Sequence, residues 1–103
     1  MWQKIRDFFK GTSPNFKEMI ENGATLLDVR TDKEFQAEHI ANSIHIPLDQ
    51  VEGRMDEILK MNQPIVAYCR SGRRSGIATT MFKNAGLEAY NGGGINALKR
   101  RLK

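Results

Sequence analysis

The chain is poor in the features that mark several large protein classes. It has one cysteine, Cys69, in 103 residues, so no disulfide can close within it and a disulfide-stapled fold is excluded. No run approaches the roughly 20 apolar residues that span a bilayer. At the N-terminus, Lys4, Arg6, Asp7 and Lys10 interrupt Trp2, Ile5, Phe8 and Phe9, so the continuous apolar stretch of a secretory leader is missing. A reducing cytoplasm is the setting these absences lead us to expect. Aromatic residues are few, 8% of the chain, and they do not interleave with the basic side chains as stacking platforms would, which argues against a nucleic-acid partner. There is no internal repeat and no low-complexity segment.

What is present fits a small globular unit. An apolar fraction of 40% over 103 residues suits one core. The formal charge of +4 is carried largely by Arg70, Arg73 and Arg74 and by the tail Lys99, Arg100, Arg101 and Lys103, which favours anionic partners. Trp2, Ile5, Phe8 and Phe9 recur near the helical period, so residues 1–12 read as a short amphipathic helix and linker ahead of a domain over 13–103.

Along that domain, apolar periodicity alternates between helix and strand. Ser13-Pro14 predicts a helix start, with Phe16, Met19 and Ile20 as the buried stripe and Asn22-Gly23 as the stop. Thr25 to Val29 predicts a strand buried on both faces. Thr31 and Glu34 stand at capping-box spacing, predicting a short helix towards Glu38. Ser43 to Ile46 reads as a brief extended piece before Pro47, and Val51, Met55, Ile58 and Leu59 as one helix. Pro64 to Tyr68 is the most strand-like run, leading into Cys69 and a loop over Arg70, Ser71, Gly72, Arg73 and Arg74. Ile77, Ala78, Met81, Phe82 and Ala85 predict the apolar face of the next helix, Leu87 to Tyr90 a last strand before Gly92-Gly93-Gly94, and Ile95, Leu98 and Leu102 a closing helix. This alternation implies an α/β fold: a small central, mainly parallel sheet flanked by helices on both faces.

The chemistry converges on Cys69, expected beyond the carboxyl end of its strand, where such sheets carry their sites. A cysteine acts as a nucleophile only as thiolate, so its surroundings must lower a pKa ordinarily near about 8.5. A loop able to aim backbone N–H groups inward, the N-terminus of the following helix and three arginines would all do so. A buried, inert cysteine is common, but one followed at once by five polar or glycine residues, three of them arginine, does not fit that description.

The segment Cys69-Arg70-Ser71-Gly72-Arg73-Arg74-Ser75 resembles the active-site loop of the rhodanese family. Leu26-Leu27-Asp28-Val29-Arg30, Glu34-Phe35, His39-Ile40, Ser43-Ile44-His45-Ile46-Pro47, Val66-Ala67-Tyr68 and Gly92-Gly93 follow in the family's order and approximate spacing, over most of residues 13 to 98. The chain departs from the pattern before His39 and at Asn42, where the family commonly has glycine, and it lacks the tryptophan often found after the paired glycines. Those departures touch local packing and leave the cysteine loop intact.

The resemblance implies a sulfurtransferase. Cys69 would take the sulfane sulfur of an anionic donor such as thiosulfate as a persulfide. The loop from Arg70 to Ser75 would hold the donor and the sulfur, and Arg74 would sit where the family most often places its loop cation. With no second cysteine, the acceptor must be external: cyanide, a thiol or a protein cysteine. No cofactor and no metal are implied. Asp28, Arg30, Glu34 and His39 read as structural, and His45 as an ordinary strand residue. Two other readings compete. A cysteine-dependent phosphatase or arsenate reductase would place its arginine six residues after the nucleophile, where this chain has Ser75, and usually a histidine before it, where this chain has Tyr68. A non-catalytic binding or regulatory module of the same fold would typically have lost the cysteine.

Overall fold

The computed structural model describes residues 14–103. The expected helix over Met1 to Lys10 lies outside the described residues. The first described element is helix α1 (Phe16–Glu21), capped by Asn15, whose side-chain oxygen accepts the Glu18 N–H at 3.0 Å. Then follow β1 (Thr25–Asp28), α2 (Asp32–Ala37), β2 (Ile44–His45), α3 (Leu48–Val51), a 3-10 turn (Glu52–Arg54), α4 (Met55–Leu59), β3 (Ile65–Cys69), α5 (Arg73–Asn84), β4 (Ala89–Gly94) and α6 (Ile95–Arg101).

All strand pairs are parallel, in the order β2-β1-β3-β4, so β1 and β3 are central. Every residue of both is buried, which is why Leu26-Leu27 and Ile65-Val66-Ala67 read as unbroken apolar runs. Side chains alternate across the sheet. Leu27, Ile65, Ala67 and Cys69 face one core, together with Val51, Ile58, Ala78 and Phe82 from α3, α4 and α5. Leu26, Val66 and Tyr68 face the other, together with Phe16 of α1 and Ile95 and Leu98 of α6. The α/β fold with helices on both faces of a parallel sheet is therefore as expected, and Cys69 lies on the α5 side of it.

Helix α2 begins with the anticipated capping box: the Thr31 hydroxyl accepts the Glu34 N–H at 3.2 Å, and Glu34 accepts the Thr31 N–H at 2.9 Å. After α2 the chain turns through Asn42, whose φ of 68° is left-handed. This is one of the positions where the family's glycine is missing. Asparagine is the non-glycine residue that tolerates this conformation best, so the turn keeps its shape. Tyr68 pins it from below. The Ile40 N–H donates to the Tyr68 hydroxyl at 3.1 Å; Ser43 donates to the Ile40 carbonyl at 2.6 Å, which leaves Tyr68 to donate to Ser43 at 3.0 Å.

Four expectations need correction. The helix expected from Val51 to Leu59 is broken into α3, the 3-10 turn and α4, and Leu59 is 45% exposed. Arg73 and Arg74 belong to the first turn of α5, so the loop itself is only Arg70 to Gly72. Ile77 is 51% exposed and Ala85 is also outside, because Ser75, Ala78, Thr79 and Phe82 take the inward positions of α5. Finally, Gly92 to Gly94 do not follow the last strand; they are its second half, with a register shift opposite Ala67 and Tyr68.

Candidate active site

Cys69 ends β3 and is 1% exposed. Beyond it the chain reverses at Gly72, whose φ of 96° suits glycine, and enters α5. This turn points the Gly72 N–H at the Cys69 sulfur, 3.0 Å from Sγ. One helical turn further on, the buried Ser75 hydroxyl lies 3.4 Å from the same sulfur. Burial pushes the thiol up. The Ser75 hydroxyl and the N–H groups of Ser75, Ser71 and Gly72 outweigh that and hold it below its ordinary value. The sulfur is thus surrounded by donors at a helix N-terminus, and the arrangement stabilises a negative charge on it.

The loop keeps this shape because β4 is pressed against it. Gly94 stands opposite Cys69 in the sheet, and a Cβ on Gly94 would lie 2.5 Å from the Arg70 carbonyl oxygen. A Cβ on Gly72 would meet the Gly93 Cα at 3.3 Å. Glycine at the end of β4 is what lets two stretches of backbone touch. Asn91, which sequence reasoning passed over, supplies the polar half of the contact. Its Nδ2 donates to the Gly72 carbonyl at 2.9 Å, and its Oδ1 accepts the Gly93 N–H at 2.9 Å and the Ser75 hydroxyl at 2.7 Å. An asparagine ahead of three glycines looks like turn sequence, and nothing local signals these contacts.

The three arginines fare differently. Arg70 and Arg73 are exposed. Arg74 is half-buried and holds Glu34 with both prongs of its guanidinium, at 2.7 and 2.9 Å. That hydrogen-bonded pair lowers the Glu34 carboxyl to about 2. Arg74 also borders a cavity of about 460 Å³ together with Val29, Thr31, Asp32, Pro47, Leu48, Asp49 and Gln50, at the carboxyl side of β1 and β2. Ser71 is exposed, and Gly72 is half-buried.

The residues read as structural are placed accordingly. Asp28 is fully buried and takes both Nε and Nη2 of Arg30, the closest contact being 2.8 Å, while Arg30 also reaches the Glu38 carbonyl. The His39 and His45 rings stack on Phe35, with centroids 3.8 and 4.4 Å away. His45 is therefore more than an ordinary strand residue: its Nε2 lies 2.7 Å from the Arg30 carbonyl. Among the described residues no three His, Cys, Asp or Glu side chains gather as a metal site would need, and no helix is long and apolar enough to cross a membrane.

Known proteins share the sequence pattern and the fold. The rhodanese-like domain pattern matches residues 12–100. The chain is 40% identical over 75 residues to the putative sulfur carrier protein YrkF of Bacillus subtilis, covering 71% of this chain and 40% of that protein. It is 34% identical over 71 residues to the thiosulfate sulfurtransferase PspE of Escherichia coli, covering 67% of this chain and 68% of PspE. Against YqhL of B. subtilis and the tRNA sulfurtransferase of Thermoplasma acidophilum it spans 54% and 18% of the relative's length, so several relatives are much longer. Among solved structures, a rhodanese-related protein from Thermoplasma volcanium superposes with a TM-score of 0.70 at 30% identity, covering 84% of this chain and 90% of that one. The E. coli rhodanese solved with anions gives 0.65 at 32% identity, covering 71% and 88%. By its sequence pattern, its parallel sheet and its relatives among sulfurtransferases, the chain belongs to the rhodanese-like domain family.

Proposed function

We propose that the protein is a sulfurtransferase that carries sulfane sulfur as a persulfide on Cys69. The observation behind this reading is the sulfur itself: a buried thiol at the end of a central strand, met by the Gly72 N–H at 3.0 Å and the Ser75 hydroxyl at 3.4 Å. A donor-lined site of this kind suits an anionic sulfur better than a neutral thiol.

With thiosulfate as donor, the Cys69 thiolate attacks the outer sulfur. A bond forms between the two sulfurs, the S–S bond of thiosulfate breaks, and sulfite leaves with the bonding pair. The persulfide keeps one negative charge, which the loop N–H groups hold. An acceptor nucleophile, cyanide or an external thiol, then attacks the terminal sulfur and returns the Cys69 thiolate. Arg70 and Arg73, exposed at the mouth, attract the dianionic donor. Arg74 adds charge at closer range, tempered by Glu34. A protein cysteine could serve as acceptor by the same chemistry, because the chain has no second cysteine of its own.

Intact mass measurement after incubation with thiosulfate tests this. The expected result is a gain of one sulfur atom that a cyanide or thiol chase removes. Failure to gain sulfur, with hydrolysis of an aryl phosphate instead, would replace the reading with a phosphatase; neither signal would favour a binding module.

A further inference from the structure

Ser75 has one hydroxyl proton and two acceptors. Asn91 Oδ1 lies 2.7 Å from its oxygen and Cys69 Sγ 3.4 Å. The first distance is that of a good O–H to oxygen bond, so beside a neutral thiol the proton belongs to Asn91. Once the sulfur carries charge, the ionic acceptor is the stronger one and the hydroxyl turns to it. Asn91 survives that change without an orphaned acceptor, because the Gly93 N–H still donates to the same Oδ1 at 2.9 Å. Its amide cannot be flipped: the opposite orientation would set NH2 against the Gly93 N–H and oxygen against the Gly72 carbonyl. Gly76 of α5 leaves room for this amide, since a Cβ there would stand 3.2 Å from Asn91 Nδ2.

We propose that Asn91 is a positioning residue for the Cys69 sulfur, fixing Gly72 through its carbonyl and governing which way the Ser75 hydroxyl points. Two of the groups that face the sulfur, the Gly72 N–H and the Ser75 hydroxyl, are thereby held from β4. The amide is suited to this and a carboxylate is not. An aspartate could not donate to the Gly72 carbonyl, would retain the Ser75 proton, and would place a negative charge one hydroxyl away from the sulfur.

This inference rests on Cys69 being the nucleophile, yet its test needs no sulfur donor. The rate at which iodoacetamide alkylates Cys69, followed by intact mass from pH 5 to 10, reports the thiolate alone. Substitution at Asn91 should be tolerated by the fold, since the residue is exposed. In Asn91→Asp the midpoint of that profile should rise by about one pH unit, so that alkylation at a pH below both midpoints falls about tenfold. In Asn91→Ala, which loses the clamp but adds no charge, the rise should be smaller. A midpoint unchanged from wild type in Asn91→Asp, with an unchanged circular dichroism spectrum, overturns the proposal; if that variant does not fold, an unchanged midpoint in Asn91→Ala does the same. Absence of thiosulfate turnover in every form, wild type included, would instead count against the sulfurtransferase reading and leave these midpoints to judge Asn91.

Discussion

Arg74 and Glu34 face each other across the mouth of the site, 40 residues apart in sequence, and join through two hydrogen bonds of 2.7 and 2.9 Å. The arginine that the family resemblance marks as a donor ligand is therefore already engaged. Removing Glu34's charge separates the two roles. Glu34→Gln should lower the thiosulfate KM several-fold by releasing the Arg74 charge, while Arg74→Ala should raise it and cost about 1 kcal/mol of stability. Steady-state kinetics on both variants decides the matter: a KM unmoved in either direction would remove Arg74 from donor binding and leave it a purely structural partner.

The same pair makes stability sensitive to acid. Glu34 titrates at about 2 when folded, against 4.5 ordinarily. Its lowered value means that the unfolded chain binds this proton more readily, so the stabilisation is complete above pH 4.5 and fades as the pH falls towards 2. Urea denaturation of wild type and Arg74→Ala at pH 6, 4 and 2.5 should give a stability gap that narrows with each step. A constant gap would contradict the sign of the coupling.

Cys69→Ser should abolish sulfur loading and transfer and leave the circular dichroism unchanged. Serine fits the buried position, and the Gly72 and Ser75 donors find an oxygen in place of sulfur. Sulfur retained in that variant, measured by intact mass, would place the carrier elsewhere.

Gly94→Ala tests the contact between β4 and the loop. With 2.5 Å between the new methyl and the Arg70 carbonyl, the loop has to move, and a displacement on the ångström scale should reduce kcat/KM at least about tenfold. Gly53→Ala serves as the control, since a Cβ there meets nothing within 4 Å. Equal kinetics for the two variants would mean that the loop holds its shape without the strand.

At Asn42 the positive φ predicts opposite effects of two substitutions. Asn42→Gly should leave stability unchanged or slightly higher, whereas Asn42→Val, β-branched in a left-handed position, should cost about 1–2 kcal/mol. Thermal denaturation distinguishes them; equal midpoints would show that the turn is not under this constraint.

The central strands, the capping box and the cysteine loop were legible because each announces itself within a few residues. Leu26-Leu27 and Ile65-Val66-Ala67 are apolar without a break because both sheet faces are covered. The rest depended on contacts between distant segments. Ile77 misled because Ser75 and Thr79 occupy the inward face of α5: one hydroxyl lies between Asn91 and the sulfur, and the other donates to the Ser75 carbonyl at 2.7 Å. Gly92 to Gly94 read as a strand stop because glycine weakens strands; their place inside one follows from distant contacts, the Ala67 carbonyl, Val66 and Leu98 crowding Gly92 and the Arg70-Ser71 backbone crowding Gly94. The Arg74 partner was similarly hidden, Glu34 being fully accounted for by its cap to Thr31.

The two cores on opposite faces of the sheet divide the charge of the molecule as well as its apolar residues. Cys69 belongs to the α5 face with Arg73 and Arg74 at the head of that helix, whereas Lys99, Arg100 and Arg101 ride on α6, which covers the reverse face. The overall charge of +4 is thus not a single field focused on the sulfur. A protein recruited by the α6 cations would have the full thickness of the sheet between it and Cys69, so contacts at the two faces can be mutated, tagged or blocked separately.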